Sequence, residues 1–189
     1  MPLAVLHLPQ GALDYRQITQ AVGEITEAFL EAQGAMPGSA AAHALARVEV
    51  QEHPVRMVFL GGQPYDGRPL YRVEFSSPVG ALDLDRREWL VRRVTDSILK
   101  AEGTSDPADE QRHRVWCIIH PVPADHWACA GRLWDWASIK RWVKRCEIAL
   151  RRQIRDEPEA YQGPLSVEQA ARLVAGEAQA ERRTSAGVM

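Results

Sequence analysis

A six-residue phrase recurs in this chain with one residue changed and constrains the fold more than any other feature. Pro9-Gln10-Gly11-Ala12-Leu13-Asp14 returns as Pro78-Val79-Gly80-Ala81-Leu82-Asp83, 69 positions later. A second word, His53-Pro54-Val55, returns as His120-Pro121-Val122 at a spacing of 67. The words keep their order, and small-residue pairs close the two stretches at Gly61-Gly62 and Ala130-Gly131. Repeated units bury their apolar faces against one another, so a duplicated architecture is expected.

Each copy reads as strand, helix, strand. In the first, residues 2–8 form a strand, and Gly11 to Asp14 turn into a helix with Asp14 as its N-cap. Ile18, Val22, Ile25 and Phe29 lie four, three and four apart, on one helical face. Residues 35–42 read as a loop and 46–53 as the second strand, ended by Pro54. In the second copy the strand covers 70–76, Asp83 caps the helix, and Leu90, Val94 and Ile98 form its apolar stripe. Residues 114–120 close that unit, ended by Pro121. The expected fold class is α+β: tandem β-α-β units forming a four-stranded mixed sheet, with both helices on one face. The units span 2–62 and 69–132 of a domain covering 1–132, and a helical extension follows over 133–189.

The two faces of that sheet differ. Arg47, Glu49 and Gln51 project one way while Val48 and Val50 project the other, by the two-residue period of a strand. Arg72, Glu74 and Ser76 alternate likewise with Tyr71, Val73 and Phe75. The apolar set belongs against the helices. The charged set faces water or another subunit, with arginine and glutamate paired across the contact. A sheet with one uncovered face calls for a partner, so a homo-oligomer is expected.

Composition excludes several functions. A net charge of -2 argues against whole-protein nucleic-acid or membrane binding. No apolar run approaches the ~20 residues that span a bilayer, and the N-terminus lacks the order of a signal peptide. Cys117, Cys129 and Cys146 have no metal-ligand spacing and cannot all pair within one chain. A reducing cytoplasm is the simplest location. No His-x-x-x-His, Cys-x-x-Cys, Gly-x-Ser-x-Gly or phosphate-loop pattern occurs, so neither a metal nor another cofactor is expected. Cys129 reads as an inert thiol in preference to a nucleophile.

Pro2 follows Met1 and leads straight into the apolar run Leu3-Ala4-Val5-Leu6-His7-Leu8. Removal of Met1 would expose a secondary amine at the start of a core strand. The ordinary α-amino pKa is about 7.7–8.0, and desolvation disfavours the ammonium form. Such an amine could approach the operating pH, where general acid–base catalysis works best. Against this stands the plain role of opening a strand, which suits proline. A retained methionine would acylate the nitrogen and end its basicity.

With Pro2, the strand after it and two β-α-β units, the chain resembles the tautomerase superfamily. Short members, the 4-oxalocrotonate tautomerases, are similar to Pro2-Leu3-Ala4-Val5-Leu6-His7-Leu8. They are similar again at residues 117–123, followed by Trp127 and Ala130-Gly131. The fused group containing cis-3-chloroacrylic acid dehalogenase resembles Val48 through Gln51-Glu52-His53-Pro54, then Val58-Phe59-Leu60-Gly61-Gly62, Val115-Trp116 and Gly131-Arg132. The resemblance covers residues 2–132. It implies a trimer of two-unit subunits, with an active site at each Pro2 near a subunit boundary.

It also implies roles. The catalytic proline matches Pro2, and the carboxylate-binding arginine of the second strand matches Arg47, with Trp116 at that position in the second unit. The aromatic near the closing hairpin matches Trp127, with Phe59 as its counterpart. The arginine after the first strand falls on Ala12. The dehalogenase histidine falls on Phe29, its arginine pair within 76–80, and its tyrosine and glutamate on Ile118 and Cys129. Without those groups dehalogenation is not implied. What remains is a cofactor-independent tautomerase or isomerase for a small keto or enol carboxylic acid, with Pro2 as general base and acid. The alternatives are a decarboxylase or hydratase of an unsaturated acid, and a non-catalytic scaffold or binding protein. The intermediate's negative charge needs a nearby cation or donor. Arg47, Arg72 and Arg132 are the candidates, each alternatively an ion-pair member with a residue such as Glu49 or Glu74. Trp127 is a candidate pocket wall.

Beyond Arg132, residues 137–156 read as a helix bearing Lys140, Arg141, Lys144, Arg145, Arg151, Arg152 and Arg155. It could bind an anion or nucleic acid; a solvated face on a packed helix is the favoured reading. Ser166 caps a short helix, and residues 176–189 are expected to fray.

Overall fold

The computed structural model describes residues 3–104, 108–160 and 163–186. Its elements follow the strand–helix–strand order: β1 (Leu3–Pro9), α1 (Tyr15–Ala32), α2 (Ala40–Leu45), β2 (Arg47–His53), and a small hairpin of β3 (Phe59–Leu60) and β4 (Gln63–Pro64). The second unit repeats this with β5 (Tyr71–Pro78), α3 (Leu84–Ala101), α4 (Asp109–Arg112), β6 (Val115–Val122), β7 (Ala128–Cys129) and β8 (Arg132–Leu133). Helices α5 (Trp136–Asp156) and α6 (Val167–Ala186) complete the chain.

The main sheet is mixed, in the order β2-β1-β5-β6. Each unit's two strands run parallel, and the units meet along the antiparallel β1–β5 pair. Both long helices begin on an aspartate. Asp14 accepts from the Gln17 N–H at 2.8 Å and Asp83 from the Arg86 N–H at 2.9 Å, each satisfying a donor the helix leaves unpaired. The helices pack together over one sheet face, tied by Lys100–Glu24 at 3.2 Å and by the Gln17 amide donating to the Ala101 carbonyl.

Between helices and sheet lies the main core. Ala4, Leu6, Leu8, Val73 and Phe75 are fully buried against Ile25, Phe29, Leu90, Val94 and Ile98. Phe29 and Phe75 meet edge to face at 4.9 Å. Val48 and Val50 join the same cluster, so the alternation along β2 and β5 points as the sequence predicts.

The structure corrects several local expectations. Equivalent elements lie 69 residues apart throughout, including the turns Val55–Met57 and Ala124–His126 that precede the two hairpins. The His-Pro-Val words, spaced by 67, are therefore out of register: Pro123, not Pro121, stands where Pro54 does. Pro121 does not end β6, which continues to Val122. β6 is an edge strand, where a residue without an N–H is tolerated.

Residues 40–45, expected partly as loop, form α2. Ser39 caps it, and Glu147 of α5 accepts from the Ser39 hydroxyl at 2.7 Å and the Ala41 N–H at 3.1 Å. Helix α6 continues past Gly176 to Ala186. Its alanine-rich sequence favours helix, Leu173 and Val174 pack on a second core, and Glu177 pairs with Arg152. That second core joins Ala41 and Ala44 to Cys146, Leu150, Leu165 and Ala170. No helix among the described residues is long and apolar enough to cross a membrane.

Candidate functional site

The antiparallel meeting of the units separates the sequence-derived site residues into two groups. Pro2 itself lies outside the described residues. The described chain opens at Leu3, whose partners are Arg47 on β2 and Ser76 on β5. Arg47 is therefore at the end of the sheet where β1 starts. Its guanidinium pairs with Glu49 at 2.8 Å and is 71% exposed, a loose tether that leaves it available. Trp127 follows the terminal end of β6, which is also the end where β1 starts. Arg132 sits on β8 opposite Cys129 and is exposed.

Arg72 and Phe59 occupy the other end. Arg72 pairs across the sheet with His7, four residues along β1 from Leu3, or roughly 13 Å at the ordinary strand rise. There, His7, His53, Phe59, Arg72, Arg114 and Trp116 are among the residues lining a cavity of about 590 Å³. Arg72 and Phe59 thus share a cavity that includes neither Arg47 nor Trp127. The 69-residue register also shifts one correspondence. Val58, not Phe59, is the partner of Trp127: their carbonyls accept from Tyr65 and Trp134 at 3.0 and 2.8 Å.

In the same register Tyr71 is the second unit's counterpart of Pro2. Its hydroxyl donates to Glu102 at 3.2 Å, and the Arg114 guanidinium grips that carboxylate with two nitrogens while also donating to the Pro69 carbonyl at 2.9 Å. Burial, then the Glu102 charge, pushes the Tyr71 phenol well above its usual range, despite Arg114. A phenol held neutral as a donor is no base near neutral pH. This cavity offers cations and aromatic walls, and its only imidazoles among the described residues are His7, His53 and His113. Two of its lining residues, His53 and Arg114, each keep a buried nitrogen without a hydrogen-bond partner, at Nε2 and Nε.

On the sheet face that the helices leave bare, Glu74 is a hub. It pairs with Arg72 at 2.9 Å, His120 at 3.2 Å and His7 at 3.4 Å. Burial and the Arg72 charge, helped by His53, hold the His7 pKa below its ordinary value against the pull of Glu74. Cys117 faces the core, and burial pushes its thiol up to about 11. No group of three or more metal-binding side chains occurs among the described residues. Sequence reasoning missed Tyr71, Arg114 and Glu102, although the 69-residue spacing applied to Pro2 points directly at Tyr71.

No protein-family model matches the chain, and no curated protein does. Solved structures do. An R7 fused 4-OT, a wild-type asymmetric trimer, is 20% identical with a TM-score of 0.56, over 69% of this chain and 94% of that one. Pt0534, inactivated by 2-oxo-3-pentynoate, is 18% identical with a TM-score of 0.57, over 71% and 97%. N1, a member of the cis-3-chloroacrylic acid dehalogenase family, is 13% identical with a TM-score of 0.61, over 82% and 99%. A match over 82% reaches past β8 into the C-terminal helices, for which the sequence alone offers no counterpart. Two 69-residue-spaced β-α-β units, an antiparallel seam between them and these matches lead to one conclusion: the chain has the two-unit fold shared by the fused 4-OT structures and by N1 of the cis-3-chloroacrylic acid dehalogenase family.

Proposed function

We propose that this protein is a cofactor-independent tautomerase of a small keto or enol carboxylic acid, with the Pro2 nitrogen as general base and acid after Met1 is removed. One observation carries this reading: Arg47 stands across from Leu3, the residue next to Pro2 in the chain, in a fold shared with fused 4-OT proteins. The neutral amine removes a proton α to the carbonyl and returns it elsewhere on the conjugated system. Arg47 holds the substrate carboxylate through its planar fork, and Trp127 walls the site. Arg132 is a further candidate cation on the nearby hairpin. Arg72 and Phe59 would serve Pro2 only from another copy, which fits an oligomer such as the trimers formed by the fused 4-OT relatives.

The test has three parts. Mass spectrometry of the mature protein should find Pro2 at the N-terminus. The native chain should convert 2-hydroxymuconate or phenylenolpyruvate, and Pro2→Ala should lose about 10²–10⁴-fold in kcat/KM, the usual contribution of a positioned acid–base group. Incubation with 2-oxo-3-pentynoate should give a mass adduct on the Pro2 peptide alone. A retained Met1, or turnover indifferent to Pro2→Ala, removes the reading. Decarboxylation or hydration, with protonated Pro2 as the acid, would show itself by the product formed.

A further inference from the structure

The fold sorts the seven basic residues of α5 into two sets. Arg152 pairs with Glu177 of α6, Arg155 with Asp156, and Arg141 donates to Ser138 beside the Asp135 carboxylate. Arg145 is engaged within the chain as well. Lys140, Lys144 and Arg151 form the second set. None of them has a carboxylate partner among the described residues, and all three line one cavity.

That cavity, about 450 Å³, lies between α5 and the segment joining α1 to α2. Leu30, Met36, Leu45, Ile139, Val143 and Ile148 give it a largely apolar interior. Met36 is 57% and Ile148 42% exposed, so the apolar lining opens to solvent between the cations. The one carboxylate in the wall, Glu147, is held in place through its Oε1, which accepts from the Ser39 hydroxyl and the Ala41 N–H. Lys140 stands 5.6 Å above the Trp136 ring, which fixes one cation at the mouth. Spacings of four and seven place the three cations in a row along one helix face, about 16 Å from first to last.

We propose that this cavity binds a small amphipathic organic anion, an apolar alkyl or aromatic body bearing a single acidic group. The body fills the recess between α5 and α2, and the acid meets the cations at the rim. A recess within the roughly 300–1,000 Å³ typical of small-molecule sites fits such a ligand better than a peptide or a bilayer. Three cations against the single Glu147 carboxylate leave the lining with a net positive charge that an anion would offset. Neither Leu3, Arg47 nor Trp127 lines this cavity, and the proposal does not rest on the tautomerase reading.

Octanoate, 1-octanol and octyltrimethylammonium serve as probes, followed by amide chemical shifts in the ¹⁵N-labelled full chain. Octanoate should saturate, with shifts confined to residues 30–45 and 136–151, and octanol should bind at least tenfold more weakly. Lys144→Glu with Arg151→Glu should weaken octanoate at least tenfold. Arg155→Glu, on the same helix but outside the cavity, should leave it unchanged. The milder pair Lys144→Gln and Arg151→Gln, with unaltered circular dichroism, should weaken it severalfold. Equal binding of octanol and octanoate, equal loss in Arg155→Glu, or no saturation up to millimolar octanoate overturns the proposal. So does tighter, charge-dependent binding to phosphatidylserine vesicles or to an acidic peptide, which would assign the patch to a macromolecule.

Discussion

Leu3 and Arg47 face each other on the first rung of the parallel β1–β2 ladder, and their side chains leave the sheet on the face the helices do not cover. Arg47 is therefore on the rung of the residue that follows Pro2, and its guanidinium makes a surface ion pair with Glu49. If Arg47 holds the substrate carboxylate, Arg47→Ala should lower kcat/KM by about 10- to 100-fold, the value of a hydrogen bond to a charged group. Arg47→Lys should recover part of that loss, keeping the charge but not the fork. Steady-state kinetics on a keto acid and on its uncharged ester separate carboxylate binding from a general loss of activity.

Arg114, Glu102 and Tyr71 form a second, largely buried arrangement, with side-chain exposures of 9% for Arg114 and 16% for Glu102. Removing the cation leaves a carboxylate without its partner. Arg114→Met should cost about 3–5 kcal/mol in urea denaturation. Tyr71→Phe removes one donor to the same carboxylate and should cost only about 1 kcal/mol. If the two variants were equally stable, the guanidinium would not be what holds Glu102.

The hairpins offer a comparison within one molecule. Gly61 and Gly62 turn the first at φ of 58° and 80°, and Ala130 and Gly131 turn the second at 51° and 71°. Two-residue hairpin turns of this kind need positive φ at both central residues, and an L side chain there costs about 1–2 kcal/mol. Ala130→Gly should therefore stabilise the protein by about 0.5–1 kcal/mol after the extra entropy of glycine is subtracted. Thermal denaturation of that variant beside Gly61→Ala, which should destabilise, checks both signs.

Two histidines pull stability in opposite directions with pH. Burial opposes a charge on His43, but the Ser39 carbonyl at 2.8 Å and the Glu27 carboxylate at 2.7 Å outweigh it and raise its pKa above 6.5. Its contribution is complete below the unfolded value near 6.5 and fades as pH rises through the folded one. The pair is partly exposed, so the effect stays under about 1 kcal/mol and shrinks with salt. His7, whose pKa is lowered, costs stability instead as pH falls below 6.5. His43→Gln should remove the first slope and His7→Gln the second, with side-chain NMR titrations reporting each pKa directly.

Much of the fold was legible because it rests on local rules. Asp14 and Asp83 cap helices by short-range bonding. Val48, Val50, Val73 and Phe75 alternate into the core by strand period, and Leu90, Val94 and Ile98 keep helical spacing. The misses arose where a distant element decides. Residues 40–45 form a helix whose start is held by Glu147, more than a hundred residues later, which accepts from the Ala41 N–H and from the hydroxyl of the cap Ser39. Pro121 stays within β6 because that strand lies at the edge of the sheet.

The sequence by itself determined the duplication, the two-faced strands and the presence of Pro2, Arg47, Arg72, Phe59, Trp127 and Arg132. Only the tertiary structure decided which of those side chains share an end of the sheet. β1 and β5 pair antiparallel, so equivalent positions in the two units lie at opposite ends. Strand direction belongs to the pairing and leaves no mark in either strand alone. Arg47 therefore belongs with Leu3, and Arg72 with His7 and Tyr71.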